Sequence, residues 1–174
     1  MNGKIAKLLN WAGAIIMVLL ILICIPFTVP KLFGIQIYEV KTESMEPIYP
    51  AGSVVYVKKA EAAEVAVGDA ITYTLGTDTD LVMTHRVISI SEEEQSFITK
   101  GDANMVEDAE PVSFSRLVGK PVCCISGIAA ISNFINSSMG VKVIAGTFIM
   151  VFVIWLVADW LKKGANKQGI AHKG

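Results

Sequence analysis

The feature that most constrains this chain is a stretch of 22 residues near the N-terminus without a charged side chain. It runs from Leu8 to Val29 and reads LLNWAGAIIMVLLILICIPFTV. About 20 apolar residues in a helix are enough to cross the hydrocarbon core of a bilayer. The stretch therefore predicts a transmembrane anchor over residues 8–30. Because it exceeds the apolar part of a signal peptide and no clear small-x-small site follows before Lys31, we expect the anchor to stay uncleaved.

A second apolar stretch lies near the C-terminus and predicts a second transmembrane helix. It covers residues 143–161 and contains one acid, Asp159, close to its end. Trp11, Trp155 and Trp160 lie in or near the ends of the two stretches, where interfacial aromatic residues are frequent. The mean hydropathy of +0.55 fits a chain with membrane-spanning segments better than it fits an average soluble domain.

The distribution of basic residues predicts the orientation of the chain. The two terminal segments are basic, with Lys4 and Lys7 in residues 1–7, and Lys162, Lys163, Lys167 and Lys173 in residues 162–174. Because cytoplasmic flanks of membrane spans are enriched in Lys and Arg, we expect a multi-pass protein of the cell membrane with both termini in the cytoplasm. The extracytoplasmic domain, residues 31–142, then has 9 Lys or Arg and 15 Asp or Glu, a net charge of −6. This balance argues against a nucleic-acid-binding surface.

The predicted extracytoplasmic domain has the pattern of a mainly β fold. Runs rich in Val, Ile, Thr and Tyr, separated by Gly, Asp and Ser clusters, are typical of strands. Four such runs are GSVVYVKK, GDAITYTL, LVMTHRVISI and SFITKGD. The charged SEEEQ between the last two predicts a solvated hairpin tip, and EAAEVAVGD allows a helical turn before the second run.

An uncharged segment, residues 122–140, fits two arrangements. Its apolar half is too interrupted by Ser, Gly and Asn to predict a third span. It is expected either to lie at the membrane surface or against the outer domain, or to form a pair of core strands.

Three cysteines occur, Cys24, Cys123 and Cys124. Adjacent cysteines rarely bridge each other, and this spacing matches no zinc site. They are interpreted as structural thiols, so no metal or other cofactor is implied.

Residues 31–142 contain a single histidine, His85, since the other histidine, His172, lies in the basic tail. Ser44 is a candidate nucleophile, because Pro47 and Pro50 restrict the backbone that follows it. An acyl-transfer site needs such a nucleophile, a base with a near-neutral pKa, and an acid that orients the base.

Four acids within nine residues are candidates for the orienting acid: Asp102, Glu107, Asp108 and Glu110. Their spacing alone does not choose among them.

Three motifs in order, SMEP after the anchor, THRV and KGDANMVED, resemble the successive boxes of type I signal peptidases. The branch that fits is the one found in archaea, the endoplasmic reticulum and sporulating Gram-positive bacteria, which has a histidine where other bacterial signal peptidases have a lysine. His85 stands at that position, and Lys58 and Lys59 do not match the lysine of the other branch. The resemblance spans about residues 8–140 and implies a signal-peptidase-like β catalytic domain flanked by two transmembrane helices.

The resemblance also implies roles for single residues. Ser44 matches the nucleophile, His85 the general base, and Asp108 the acid that orients His85. Asp102 matches a second carboxylate with a structural or supporting role, and Thr42 supplies a hydroxyl that helps the Ser44 amide bind an oxyanion. The implied function is removal of signal peptides from preproteins at the membrane lipid surface, with no cofactor and no nucleic acid, and association with the secretion machinery is compatible with it.

The chain departs from the family pattern at Glu43, where the family has glycine. We expect this carboxylate to point to solvent, since it would oppose an oxyanion if it pointed inward. Glu43 also supports the main alternative, a membrane-anchored binding or assembly protein with the same fold and impaired catalysis. A self-cleaving Ser-Lys protease of the repressor type is disfavoured, because no DNA-binding segment is present and the base position has a histidine.

Overall fold

The computed structural model describes residues 2–76 and 79–171, which form two compact units. One unit contains the chain up to Pro26 and from Phe134 onward, and the other is Phe27–Asn133. The predictions made for His172 and Lys173 lie outside the described residues. The elements are α1 (Asn2–Leu32), β1 (Ile35–Glu39), β2 (Val54–Lys59), β3 (Ala70–Thr74), β4 (Val82–Ser91), β5 (Ser96–Lys100), β6 (Val112–Ser113), β7 (Leu117–Ile125), α2 (Ala129–Asn136) and α3 (Ser138–Ala171).

The two predicted spans are helical in the structure. Lys4–Leu32 in α1 and Ser138–Trp160 in α3 are 29 and 23 residues of mean hydropathy 2.8 and 2.4, long and apolar enough to cross a membrane. In the helical unit Gly13 of α1 faces Trp155 and Val151 of α3, and a Cβ on Gly13 would lie 2.6 Å from the Trp155 Nε1. A residue without a side chain therefore lets the two helices approach closely, as small residues do between membrane helices.

The other unit is built on a curled antiparallel sheet of seven strands in the order β1-β2-β7-β3-β4-β5-β6. The predicted mainly β domain is thus confirmed, and β2, β3, β4 and β5 correspond to the four runs predicted as strands. The charged SEEEQ segment forms the turn of the β4–β5 hairpin, with Gln95 at a φ of 50°. A short 3-10 turn, Ala62–Glu64, occupies the segment that allowed a helical turn.

A buried core is formed in the half of the sheet that contains β3, β4, β5 and β6. Ile71, Tyr73, Val87 and Phe97, from β3, β4 and β5, are at most 3% exposed. Together with Val65 and Val112 they form one buried cluster. Burial of such side chains contributes about 1.5–3 kcal/mol each, so this cluster stabilises the strands that carry it.

Residues 122–140 lie partly against the outer domain, as the first predicted arrangement allowed, since Ala129 of α2 is buried together with Val54 and Tyr56 of β2. Val122–Ile125 completes β7, which pairs with β2, and the following residues belong to α2 and the start of α3. The expected pair of core strands is therefore wrong. Gly127, at a φ of 76°, turns the chain out of the strand, and Ala129 and Ser132 are buried on one face of α2 at helical spacing.

Candidate active site

Ser44 lies in a compact turn between β1 and β2. The Glu46 amide donates to the Glu43 carbonyl at 3.0 Å, and the Tyr49 amide donates to the Met45 carbonyl at 2.9 Å. Met45, directly after Ser44, is only 2% exposed. Its buried side chain and the Pro-containing turn fix the backbone of Ser44, whose own side chain is partly exposed.

His85 lies on β4 and is 3% exposed. Its Nε2 is 3.1 Å from the Ser44 Oγ, and its Nδ1 is 2.6 Å from the Asp108 Oδ2. The structure thus brings together three residues that are 41 and 23 positions apart in the sequence. A hydroxyl, an imidazole and a carboxylate in this order are the arrangement that nucleophilic acyl transfer requires.

The contacts of His85 define the hydrogen-bond directions at Ser44. Since the Asp108 carboxylate accepts the proton of Nδ1, the neutral imidazole has a free lone pair on Nε2, to which the Ser44 hydroxyl donates. The Thr42 Oγ1 is 3.1 Å from the Ser44 Oγ. Because the single proton of Ser44 points to His85, Thr42 is the donor in this second bond.

Asp108 is bound from β5 and β3, the two strands on either side of β4. Its amide donates to the Thr99 carbonyl at 2.8 Å, and its Oδ2 accepts from the Thr99 Oγ1 at 2.6 Å. The Tyr73 hydroxyl lies 3.4 Å from the same Oδ2. Burial raises the pKa of Tyr73 to about 12, so its phenol is a donor at neutral pH.

Asp102 has a different partner. Its carboxylate accepts from Nε and Nη2 of Arg86 at 2.7 and 2.6 Å, a bidentate ion pair. The pair raises the pKa of Arg86, chiefly through the hydrogen bond to Asp102. Arg86 also donates to the Gly68 carbonyl at 2.8 Å. Of the four candidate acids, Asp108 is therefore the one at His85, Asp102 pairs with Arg86, and Glu107 and Glu110 are exposed.

The segment that carries both aspartates also contacts the backbone of Ser44. The Ala103 amide donates to the Ser44 carbonyl at 2.9 Å. Gly101 lies so close that a Cβ would be 2.5 Å from this carbonyl oxygen and 2.8 Å from the Asn104 side chain. The glycine of the GDAN motif is explained by this close approach.

Glu43 is exposed in the structure, in agreement with the expectation that its carboxylate points to solvent. Among the described non-glycine residues only Gln95 has a positive φ. Glu43 therefore occupies an ordinary backbone conformation, and its replacement of the family's glycine requires no strained geometry.

A cleft of about 430 Å³ opens beside Ser44 within the β unit. Its walls are parts of β1, the turn and the start of β4, and its apolar lining includes Ile37, Val55, Leu81 and Met83. Such a concave, mainly apolar surface next to a hydroxyl has the general character of a ligand-binding site.

No protein-family model matches the chain. A curated relative is signal peptidase I W of Bacillus subtilis (strain 168), which is 37% identical over 87 residues. The chain is related to the type I signal peptidases. The aligned part covers 48% of this chain and 45% of the relative, so the chain spans less than half of the relative's length. The relationship agrees with the resemblance seen in the three motifs and supports a peptidase family.

Two residues at this site were not found from the sequence. Thr99 and Tyr73 both contact Asp108, but they are ordinary strand residues in SFITK and AITYT. The only sequence signal was the position of Thr99, which lies immediately before the KGDANMVED motif. Neither contact follows without the strand register.

Proposed function

We propose that the protein is a membrane-bound serine endopeptidase that removes N-terminal signal peptides from exported proteins. The observation that carries the proposal is the chain of contacts from Ser44 through His85 to Asp108, at 3.1 and 2.6 Å. The relationship to the type I signal peptidases supports signal peptides as the substrate class.

In the acylation step, the Ser44 Oγ attacks the scissile carbonyl carbon of the precursor while the His85 Nε2 takes the hydroxyl proton. Asp108 keeps the proton on Nδ1 and stabilises the imidazolium that forms. The imidazolium then gives its Nε2 proton to the leaving amine, and an ester between Ser44 and the signal peptide remains.

In the deacylation step, a water molecule attacks the ester while His85 takes its proton, and Ser44 is released as the alcohol. In both steps a negative charge develops on the carbonyl oxygen. The Ser44 amide and the Thr42 hydroxyl are the proposed donors to this oxygen, where one donor contributes about 2.7–4 kcal/mol in other enzymes.

The cleft beside Ser44 supports a preference for small side chains. By resemblance to the family, substrates have small residues at the first and third positions before the cut. An apolar wall such as that formed by Ile37 and Met83 selects by exclusion, and one methylene group is worth about 1–3 kcal/mol in such sites.

The proposed location is the cell membrane, with the β unit outside and both termini in the cytoplasm. Enzyme and signal peptide would then share one membrane surface, which raises their effective concentration for each other. The proposed partners are signal-peptide-bearing preproteins, membrane lipid and the secretion machinery.

The alternative, a binding or assembly protein with impaired catalysis, rests on Glu43. The exposure of this side chain and its ordinary backbone conformation weaken that argument. The two functions differ in whether Ser44 forms and releases an acyl-enzyme.

The deciding experiment is cleavage of a purified precursor by the full chain in detergent or vesicles. Ser44→Ala is expected to lower kcat at least about 1000-fold, because removal of the nucleophile leaves only binding and oxyanion contributions. Ser89→Ala, an exposed serine on β4, is the matched control and should cleave normally. Undiminished cleavage by Ser44→Ala would overturn the nucleophile assignment, and absence of cleavage by the wild-type chain would support the binding protein.

A further inference from the structure

Thr99 makes two hydrogen bonds to Asp108. It is fully buried near the end of β5. Its carbonyl accepts from the Asp108 amide at 2.8 Å, and its Oγ1 donates to the Asp108 Oδ2 at 2.6 Å. One strand residue therefore binds both the backbone and the side chain of Asp108.

Tyr73 brings a second hydroxyl to the same place from β3. It is 3% exposed, and its oxygen is 3.4 Å from both the Asp108 Oδ2 and the Thr99 Oγ1. The Oδ2 atom is also the one that His85 Nδ1 contacts at 2.6 Å. Two buried hydroxyls and the imidazole thus converge on one carboxylate oxygen.

We propose that Thr99 is a positioning residue that fixes the Asp108 carboxylate against His85, with Tyr73 as a second and weaker donor. The inference rests on the proposed function, since it assigns Thr99 to the same site. Thr99 is not a catalytic residue, because it touches neither Ser44 nor the reacting atoms.

The physical reason lies in the freedom of the aspartate side chain. The terminal torsion of a carboxylate is broad, so one bond to His85 does not determine its orientation. Donors from two core strands restrict this torsion before the imidazolium forms, so that less reorganisation accompanies the reaction. The Thr99 bond is short because its acceptor is a carboxylate, which makes it stronger than a bond between neutral groups.

A purely structural role predicts a different result from a positioning role. If the hydroxyl of Thr99 only satisfied buried polar atoms, its loss would lower the stability and leave the turnover of the folded protein unchanged. If it positions Asp108, its loss lowers kcat and leaves KM nearly constant, because substrate binding does not involve Asp108.

The first test compares kcat and KM for four variants of the full chain. Thr99→Val keeps the shape and the strand propensity, and it should lower kcat about 10- to 100-fold with KM unchanged. Thr99→Ser should restore most of the activity, and Tyr73→Phe should have the smaller effect. The matched control is Thr72→Val, because Thr72 is also fully buried but bonds to Thr84, with 2.8 Å between the two Oγ1 atoms.

The second test does not depend on peptidase activity. In the full chain in detergent micelles with ¹⁵N-labelled histidine, the Nδ1 proton of His85 reports its bond to Asp108. Thr99→Val should shift this resonance and speed its exchange with water, while Thr72→Val and Thr99→Ser leave it in place. An unchanged resonance in folded Thr99→Val overturns the positioning role.

The two tests separate the proposals. If the wild type cleaves and Ser44→Ala does not, a normal kcat for Thr99→Val overturns only the role of Thr99. If the wild type fails to cleave, the proposed function fails, and the His85 resonance still decides whether Thr99 positions Asp108.

Discussion

At the scale of single residues, Asp102 and Asp108 lie in one segment and belong to the same motif, yet their side chains bond to different partners. Asp108 contacts His85, whereas Asp102 forms its ion pair with Arg86. Arg86 directly follows His85, so its side chain points to the opposite face of β4. The alternation of a strand therefore separates the two carboxylates.

The two aspartates should respond differently to the same substitution. Asp108→Asn is expected to lower kcat about 10³- to 10⁴-fold, because an amide no longer holds the correct tautomer of the base. Asp102→Asn should mainly lower the Tm, by losing a charged hydrogen bond worth about 1.5–3 kcal/mol, with less than about a tenfold loss of kcat. Thermal unfolding measures the Tm of each variant, and precursor cleavage measures its kcat. An inactive Asp102→Asn beside a normal Asp108→Asn would exchange the two roles.

At the scale of elements, the segment that follows β5, the strand of Thr99, makes contacts with the turn that contains Ser44. The contact between the Ala103 amide and the Ser44 carbonyl, together with the ion pair of Asp102, attaches this segment at two points. The position of Ser44 relative to Asp108 therefore depends on the backbone path of this segment as well as on side-chain contacts.

Gly101 is the position where this path tolerates least change. In Gly101→Ala the added methyl group would lie 2.5 Å from the Ser44 carbonyl oxygen, so the backbone there must shift. We expect cleavage to fall about 100-fold, the effect of a displacement of about 1 Å in other enzymes. Gly76→Ala is the matched control, since its Cβ would lie 3.4 Å from the nearest atom, a methyl of Thr79. Equal activity of the two variants would contradict the close approach.

The sequence pattern predicted four strands and missed β1, β6 and β7. The reason is clearest in β7, which contains Gly119 and Pro121, residues that argue against a central strand. The structure accommodates Pro121 where the β2–β7 register shifts, and a Cβ on Gly119 would lie 2.1 Å from the Lys58 carbonyl oxygen. A bulge is a property of two paired strands, so the pattern of one strand does not reveal it.

At the scale of the whole molecule, the orientation in the membrane is a prediction from charge alone. Cys123 in the β unit is exposed and offers a direct test. In intact cells, a membrane-impermeant maleimide should label a variant that keeps Cys123 and has alanine at positions 24 and 124. A cysteine-free chain with Lys4→Cys should be labelled only after permeabilisation. The reverse pattern would overturn the proposed topology.

By itself the sequence determined the two apolar helices, the mainly β domain and the motifs that contain Ser44, His85 and both aspartates, because hydrophobic periodicity and local motifs are properties of neighbouring residues. The spacing left four acids open and the resemblance implied Asp108, but only the tertiary structure placed Asp108 at His85 and showed that Thr99 and Tyr73 contact it. Those contacts join residues from different strands, and they exist only in the register that the folded sheet adopts. The roles of these residues in catalysis stay predictions that the variants above test.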